Sequence, residues 1–430
     1  MAYDSVETAS RAELRDIQDE RLRATVRNAY ENVDFYRRTL DEHGVAPDDV
    51  DGVDDIERLP FTTKEDFRDE YPTGLFAREM SDVVRIHASS GTTGKPKIVG
   101  YTREDLDVWT EAMARSLVAA GVDGDDVVQN AFGYGLFTGG LGLHQGSEAL
   151  GATVVPTGGG NTQRQVEFLA DLGSDVLTCT PSYSLYLAEV AEGMGVDVRD
   201  LPLGLVVFGA EPCTDPMRDE IEQRLGVKGV DLYGLSEIVG PGVSIECLEA
   251  QDGLHVWEDL FYPEVVGPDT GEPLDEGEEG ELVLTTLTKE AVPVLRYRTG
   301  DLTTLDYDAC ECGRTAVRMD NVTGRADDKL VVRGVNVYPS EVEAVVLEFD
   351  AVAPYYRIDL AREGNLDTFA LTVELVGGFD GSVAETRERV LTRLKNVLGF
   401  TPDELALVPY GEIDRQETGK VKRVYDHRGE

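Results

Sequence analysis

Basic charge is scarce in this chain of 430 residues: 40 Lys and Arg stand against 83 Asp and Glu, a formal net charge of −43. That shortage weighs against nucleic acid as a partner, because phosphate affinity rests on clustered Lys and Arg. Long apolar runs are absent too. No stretch approaches the roughly 18 apolar residues that a spanning helix takes, so no membrane span is expected. The polar, acidic start, Met1 to Glu20, lacks the pattern of a signal peptide, which points to a cytoplasmic protein. Cysteine is rare: Cys179, Cys213, Cys247, Cys310 and Cys312 are all there is. An odd count in a long chain argues against a disulfide framework. Internal repeats and low-complexity tracts are missing as well.

What is present in excess is acid, spread along the chain in clusters such as Asp48 to Asp55 and Asp275 to Glu281 and interleaved with apolar residues. A disordered polyacid would lack such periodic apolar segments. Dispersed acidity on a globular chain suits a surface that stays soluble in concentrated salt, so a halophilic source is expected.

Residues 11–41 read as a helix capped by Ser10, and Thr102 with Asp105 reads as a capping box for a helix reaching about Ala120. From Asp126 onward strands and helices alternate: strands at 126–131, 152–155, 175–179, 205–208 and 227–232, helices at 138–150, 161–172, 182–193 and 214–225. Repeats of this length predict an α/β fold, with parallel strands covered by helices on both faces. Ligands in such sheets bind beyond the carboxyl ends of the strands. After Gly242 the pattern turns to strands (255–265, 281–288, 292–297) joined by tight turns, predicting a β subdomain at about 243–323. A small α+β domain is expected in the last hundred residues or so, giving boundaries of 1–325 and 326–430.

The chemistry gathers in a few short stretches. Residues 88–97, Ala-Ser-Ser-Gly-Thr-Thr-Gly-Lys-Pro-Lys, follow a strand and combine turn-making glycines, hydroxyls and two lysines. Composition alone makes this a surface turn. It is not a G-x-x-x-x-G-K-[ST] loop, since Ser89 stands where a glycine is needed and Pro96 follows Lys95. The glycines of 133–146 likewise fail the G-x-G-x-x-G spacing from Gly133 and from Gly140. Tyr233-Gly-Leu-Ser-Glu237 offers a ring that can stack on a purine and a carboxylate that can hold magnesium. Tyr297-Arg-Thr-Gly-Asp301 offers a carboxylate that can accept both hydroxyls of a ribose. Lys420 follows Gly419 in a polar loop near the end.

The order of these motifs, with Gly324-Arg-Ala-Asp-Asp328 between them, resembles the adenylate-forming superfamily of acyl-CoA synthetases, luciferases and peptide-synthetase adenylation domains, over about residues 85–425. Gly133 to Gly140, Tyr233 to Gly242, Trp257 to Asp259, Thr285 to Glu290 and Arg333 to Pro339 are similar to its phenylacetate-activating branch. The resemblance implies two half-reactions: a carboxylate attacks ATP to give acyl-AMP and pyrophosphate, then the thiol of coenzyme A displaces AMP. It implies roles residue by residue. Ser89, Ser90, Gly91, Thr92, Thr93, Gly94 and Lys95 would hold the β- and γ-phosphates, and Glu237 would ligate Mg²⁺. Gly209, Ala210, Glu211, Tyr233 and Gly234 would form the adenine slot. Asp301 would bind the ribose with Arg325 nearby. Lys420 would bridge the acid and the nucleotide. Asp327 would be the hinge of a mobile C-terminal domain, which brings in Lys420 for the first step and the Gly334 loop for the second.

Tyr134, Phe137, Ile238 and Pro241 would line an acyl pocket for a flat aromatic ring, while His144 reads as a hydrogen-bonding rather than a catalytic histidine. Cys247, His255, Cys310 and Cys312 could make a tetrahedral structural Zn²⁺ site. A homodimer is also expected from the resemblance. Rival readings are a relative adenylylating another acceptor of the coenzyme F420 type, a CoA ligase for a different aryl or fatty acid, and a nucleotide-binding protein without turnover.

Overall fold

The structure, a computed structural model, describes residues 2–89, 95–326, 330–332, 335–363, 366–399, 401–416 and 421–428. It has a large N-terminal α/β domain and a small C-terminal domain. The framework is a nine-stranded sheet. In spatial order it runs Leu305–Asp306, Arg318–Met319, Leu254–Val256, Gly240–Glu246, Lys228–Leu235, Leu205–Gly209, Val176–Cys179, Val127–Asn130 and Thr153–Val155. From Lys228–Leu235 to Thr153–Val155 the strands are parallel, as the alternation predicts. Val176–Cys179 and Leu205–Gly209 are buried at every position, as expected of strands with helices on both faces. The remaining strands pair antiparallel.

A second, four-stranded antiparallel sheet joins Phe261–Val266, Gly280–Thr286, Tyr297–Thr303 and Gly324–Arg325. Strands between 243 and 323 are therefore shared between two sheets. The expected strand 255–265 is in fact two, broken at Trp257 to Leu260. The cause is visible in the partners of the break. Trp257 is buried and donates to Ser116 Oγ at 3.0 Å, Glu258 takes Arg11 at 2.8 Å, and Asp259 takes Arg115 at 2.8 Å. A continuous strand would leave those carboxylates without their arginines.

The expected helix 11–41 is likewise two. Ser10 and Glu13 form the capping box of Arg11–Asn32, Val33 is extended, and Asp34–His43 resumes and ends at Gly44 with φ 69°. The Thr102–Asp105 capping box opens Arg103–Ala119 as expected. Among the described residues no helix is long and apolar enough to cross a membrane.

The C-terminal residues build their own core, with Val342, Val346, Ile358, Leu371, Val390 and Leu394 packed between helices Pro339–Val346 and Val383–Leu398 and a four-stranded sheet. Two of its strands, Glu404–Val408 and Val424–Asp426, have no counterpart in the sequence reading; each pairs parallel to a longer neighbour. This domain meets the large one at Glu189, which accepts from Tyr355 at 3.0 Å and from Arg415 at 3.2 Å.

At the other end, Glu7 and Arg314 form an ion pair at 2.7 Å with side chains 0% and 1% exposed. Removing one charge from such a pair strands the other in a dry site. Glu7→Gln is expected to cost on the order of 3 kcal/mol of stability, read as a lower urea midpoint at unchanged slope.

Candidate active site

The turns at the carboxyl ends of the parallel strands enclose a cavity of about 500 Å³. Its wall combines the loop residues Ser89, Lys95 and Lys97 with Gly209, Ala210, Gly234, Glu237, Asp301 and Arg325. Residues remote in sequence are thus brought together. Lys64 and Arg68 add further positive charge from the helix Lys64–Asp69; nothing in their sequence surroundings marks them.

The loop 89–97 closes the hairpin of Arg85–Ala88 and Ile98–Tyr101. Its base is fixed by Ser89 N donating to Lys97 O and by Lys97 N donating to Ser89 Oγ, both at 3.1 Å. Ser90, Gly91, Thr92, Thr93 and Gly94 lie outside the described residues. Lys95 Nζ stands 4.8 Å from the centre of the Tyr71 ring. Lys97, given no role from the sequence, forms an ion pair with Glu237.

Tyr233 to Glu237 lie in and just beyond the end of Lys228–Leu235, which turns back antiparallel into Gly240–Glu246. A Cβ at Gly234 would stand 2.1 Å from Gly240 O, so this hairpin needs glycine there. Glu237 is buried and accepts from Tyr297 Oη at 2.8 Å. Burial alone would raise its pKa, but Lys97 and the Tyr297 hydroxyl hold the carboxyl below its ordinary value. It is therefore ionised at neutral pH.

The same turn is held from behind by Lys289, whose Nζ donates to Glu237 O at 3.2 Å and to Ile238 O at 2.6 Å. Burial pushes the Lys289 ammonium down to about 8. Because the unfolded chain then binds more protons than the folded one above pH 8, this group should add stability as pH rises toward its ordinary value. The slope approaches about 1.4 kcal/mol per pH unit. Urea midpoints measured from pH 7 to 10 should rise for the parent relative to Lys289→Met. Parallel curves would contradict the assignment.

Asp301 accepts from Tyr233 Oη at 2.6 Å and is ion-paired with Arg325, which also donates to Thr299 O at 3.1 Å. Asp301 and Arg325 face each other in the strand register, which is why a residue so distant in sequence sits here. Gly209 cannot carry a side chain: its Cβ would stand 2.1 Å from Leu232 O. Ala210 follows with φ 68°, a strained value for a non-glycine residue.

Other expected residues are placed differently. Glu211 does not line the cavity. Its carboxylate accepts from Ser182 Oγ and from Val421 N, each at 2.6 Å, tying the large domain to the residue after Lys420. Ile238 is fully buried in the main core and also leaves the cavity wall, whereas Phe137 and Pro241 belong to that wall together with Phe132 and Leu143. Tyr134 is tied instead to Asn130 at 3.0 Å and to His144 at 3.1 Å. That is the hydrogen-bonding place expected of His144. Asp327, Gly334 and Lys420 lie outside the described residues. Cys247, His255, Cys310 and Cys312, scattered in sequence, do come together, with donor atoms all within 4.8 Å of one another.

Residues 6–287 match the AMP-binding enzyme family, and residues 334–428 match the AMP-binding enzyme C-terminal domain. The phenylacetate-coenzyme A ligase of Thermus thermophilus is 52% identical over 444 residues, covering 100% of both chains. Among solved structures, 2-hydroxyisobutyryl-CoA ligase in the postadenylation state in complex with R3-HIB-AMP superposes with a TM-score of 0.92 at 30% identity, covering 98% of this chain and 91% of that one. The same ligase in complex with 2-HIB-AMP and CoA in the thioesterification state gives 0.73 at 31% identity and the same coverage.

Proposed function

The chain belongs to the AMP-binding enzyme family, and on that premise we propose that it is an AMP-forming ligase joining an aryl carboxylate, phenylacetate, to coenzyme A. The observation that carries this reading is the convergence of Lys95, Lys97, Glu237, Asp301 and Arg325 on one cavity. The full-length likeness to a phenylacetate-coenzyme A ligase supports the choice of acid and of acceptor.

In the first step a carboxylate oxygen attacks the α-phosphorus of ATP and pyrophosphate leaves. In the second the coenzyme A sulfur attacks the acyl carbon, AMP leaves with the bonding pair, and the thiol proton passes to solvent. The first step brings anions together, so most of its catalysis is charge neutralisation and alignment. The loop from Ser89 to Lys95 holds the β- and γ-phosphates. Gly209, Ala210 and Gly234, all on the cavity wall, present backbone to the adenine. Asp301, oriented by Tyr233 and Arg325, accepts the ribose hydroxyls. The apolar wall of Phe132, Phe137, Leu143 and Pro241 receives the ring.

Mg²⁺ takes oxygen ligands and binds through one or two carboxylates with phosphates completing its shell. Glu237, a buried and ionised carboxylate on the cavity wall, fits that need. Bound there, the ion would neutralise phosphate charge.

Lys420 enters from the C-terminal unit, 326–430, which turns about Asp327 between the half-reactions and brings the Gly334 loop to the cavity for thioester formation. The higher TM-score against the postadenylation state than against the thioesterification state supports reading the present arrangement of the described residues as the postadenylation one. The contact of Val421 N with Glu211 is consistent with it.

Isotope exchange between pyrophosphate and ATP, run in high salt with a panel of aryl and fatty acids, tests the reading. Exchange should depend on the acid and be fastest with phenylacetate. Exchange with none of the acids would contradict it.

A further inference from the structure

The cluster of Cys247, His255, Cys310 and Cys312 lies outside the cavity wall and takes no part in the chemistry above. Its geometry is specific. Cys247 Sγ and Cys310 Sγ are 3.7 Å apart, and Cys312 Sγ is 3.4 Å from His255 Nε2. Zinc bonds of about 2.3 Å to sulfur and about 2.05 Å to nitrogen, set at the tetrahedral angle, place two sulfurs about 3.8 Å apart and nitrogen about 3.5 Å from sulfur. These two spacings match an S–S and an N–S edge of that tetrahedron, and the donor atoms all lie within 4.8 Å of one another. A disulfide, by contrast, needs sulfurs at about 2.05 Å.

The surroundings agree. Cys247, His255 and Cys310 are buried, and His255 is 0% exposed. Among the described residues its Nδ1 has no hydrogen-bond partner, so the ring's polar contact runs through Nε2 to Cys312 Sγ. Arg314 N donates to Cys312 Sγ at 3.5 Å, the kind of outer contact that orients a metal-bound thiolate.

The placement says what such an ion would do. Cys247 follows Gly240–Glu246, His255 lies in Leu254–Val256, and Cys310 and Cys312 sit in the turn between Leu305–Asp306 and Arg318–Met319. These last strands are two residues long and have little pairing of their own to hold them. In the same turn, three residues after Cys312, Thr315 fastens the N-terminal segment, its N donating to Glu7 O at 3.0 Å and its hydroxyl to Ala9 O at 2.6 Å. We propose that Cys247, His255, Cys310 and Cys312 bind one Zn²⁺ in a closed structural site that staples this edge of the large sheet and, through it, the N-terminal segment. Four protein ligands leave no open position, so the ion is structural rather than catalytic.

The full-length enzyme, purified without chelator, should carry about one zinc per chain by plasma mass spectrometry. Zinc-edge X-ray absorption should show three sulfur neighbours at about 2.3 Å and one nitrogen at about 2.05 Å. Cys312→Ser and His255→Gln should each lower zinc content by about tenfold or more, lower the thermal midpoint, and open the segment before Arg11 to protease. Cys213→Ser, which changes a cysteine elsewhere, should keep its zinc. Absence of zinc from the parent protein, a Cys247–Cys310 disulfide in its non-reduced peptide map, or a zinc shell lacking sulfur would each overturn the proposal. The absorption measurement needs only the parent protein, so it stands even where a variant fails to fold.

Discussion

Lys420→Ala is expected to slow acyl-adenylate formation by about 10²–10³-fold while leaving thioester formation from supplied acyl-AMP within a few-fold of the parent enzyme. The physical reason is that adenylation alone joins a carboxylate to a polyanion. A cation bridging the two stabilises the charge as it concentrates in the transition state. In the second step the nucleophile is a thiol and the leaving group is already made, so that cation has less to do. Val421 N donates to Glu211 of the large domain. Single-turnover rates for the two half-reactions, measured separately, decide the matter. Equal loss in both would remove Lys420 from its role.

The second large effect is expected at Glu237. Glu237→Gln keeps the shape and still accepts from the Tyr297 hydroxyl, but it removes the charge that faces Lys97. Exchange should fall by about 10²–10³-fold, and the Mg²⁺ concentration giving half-maximal exchange should rise. The thermal midpoint should change little by comparison. Lys97 and Tyr297 hold the carboxyl below its ordinary value, so it stays ionised as pH falls until the acid range is reached. The parent's exchange rate should accordingly show no titration of this group between pH 6 and 8. Exchange within a few-fold of the parent, with unchanged Mg²⁺ dependence, would take Glu237 out of the site.

Much of the fold was legible because its signals are local. The alternation from Asp126 to Leu232 predicts the parallel strands, and the Ser10 and Thr102 caps mark true helix starts. The failures have physical causes that lie across the chain. Nothing near Val33 announces the break between the first two helices. The turn at Trp257 to Leu260 exists because its two carboxylates find arginines on helices far earlier in sequence. At the site, residues inside motifs could be named, since glycine, hydroxyl and carboxylate chemistry survives in a short string. Lys97 is visible in the quoted loop as a positive charge, but its pairing with Glu237 is not, because that partner is set by the packing of a distant hairpin. Ile238, in the turn, and Pro241, at the start of the strand that follows it, are three residues apart, yet one faces the core and the other the cavity. Only the backbone path of that turn decides which.

Assigning a ligase role, rather than an adenylyltransferase role, comes down to the acceptor. Incubation in high salt with phenylacetate, ATP and Mg²⁺, with and without coenzyme A, followed by quantifying AMP and thioester, addresses it directly. Without coenzyme A, pyrophosphate and enzyme-bound phenylacetyl-AMP should form with little free AMP. With coenzyme A, AMP and phenylacetyl-CoA should appear in equal amounts. Turnover to AMP that ignores coenzyme A, or coenzyme A that yields no thioester, would contradict the account.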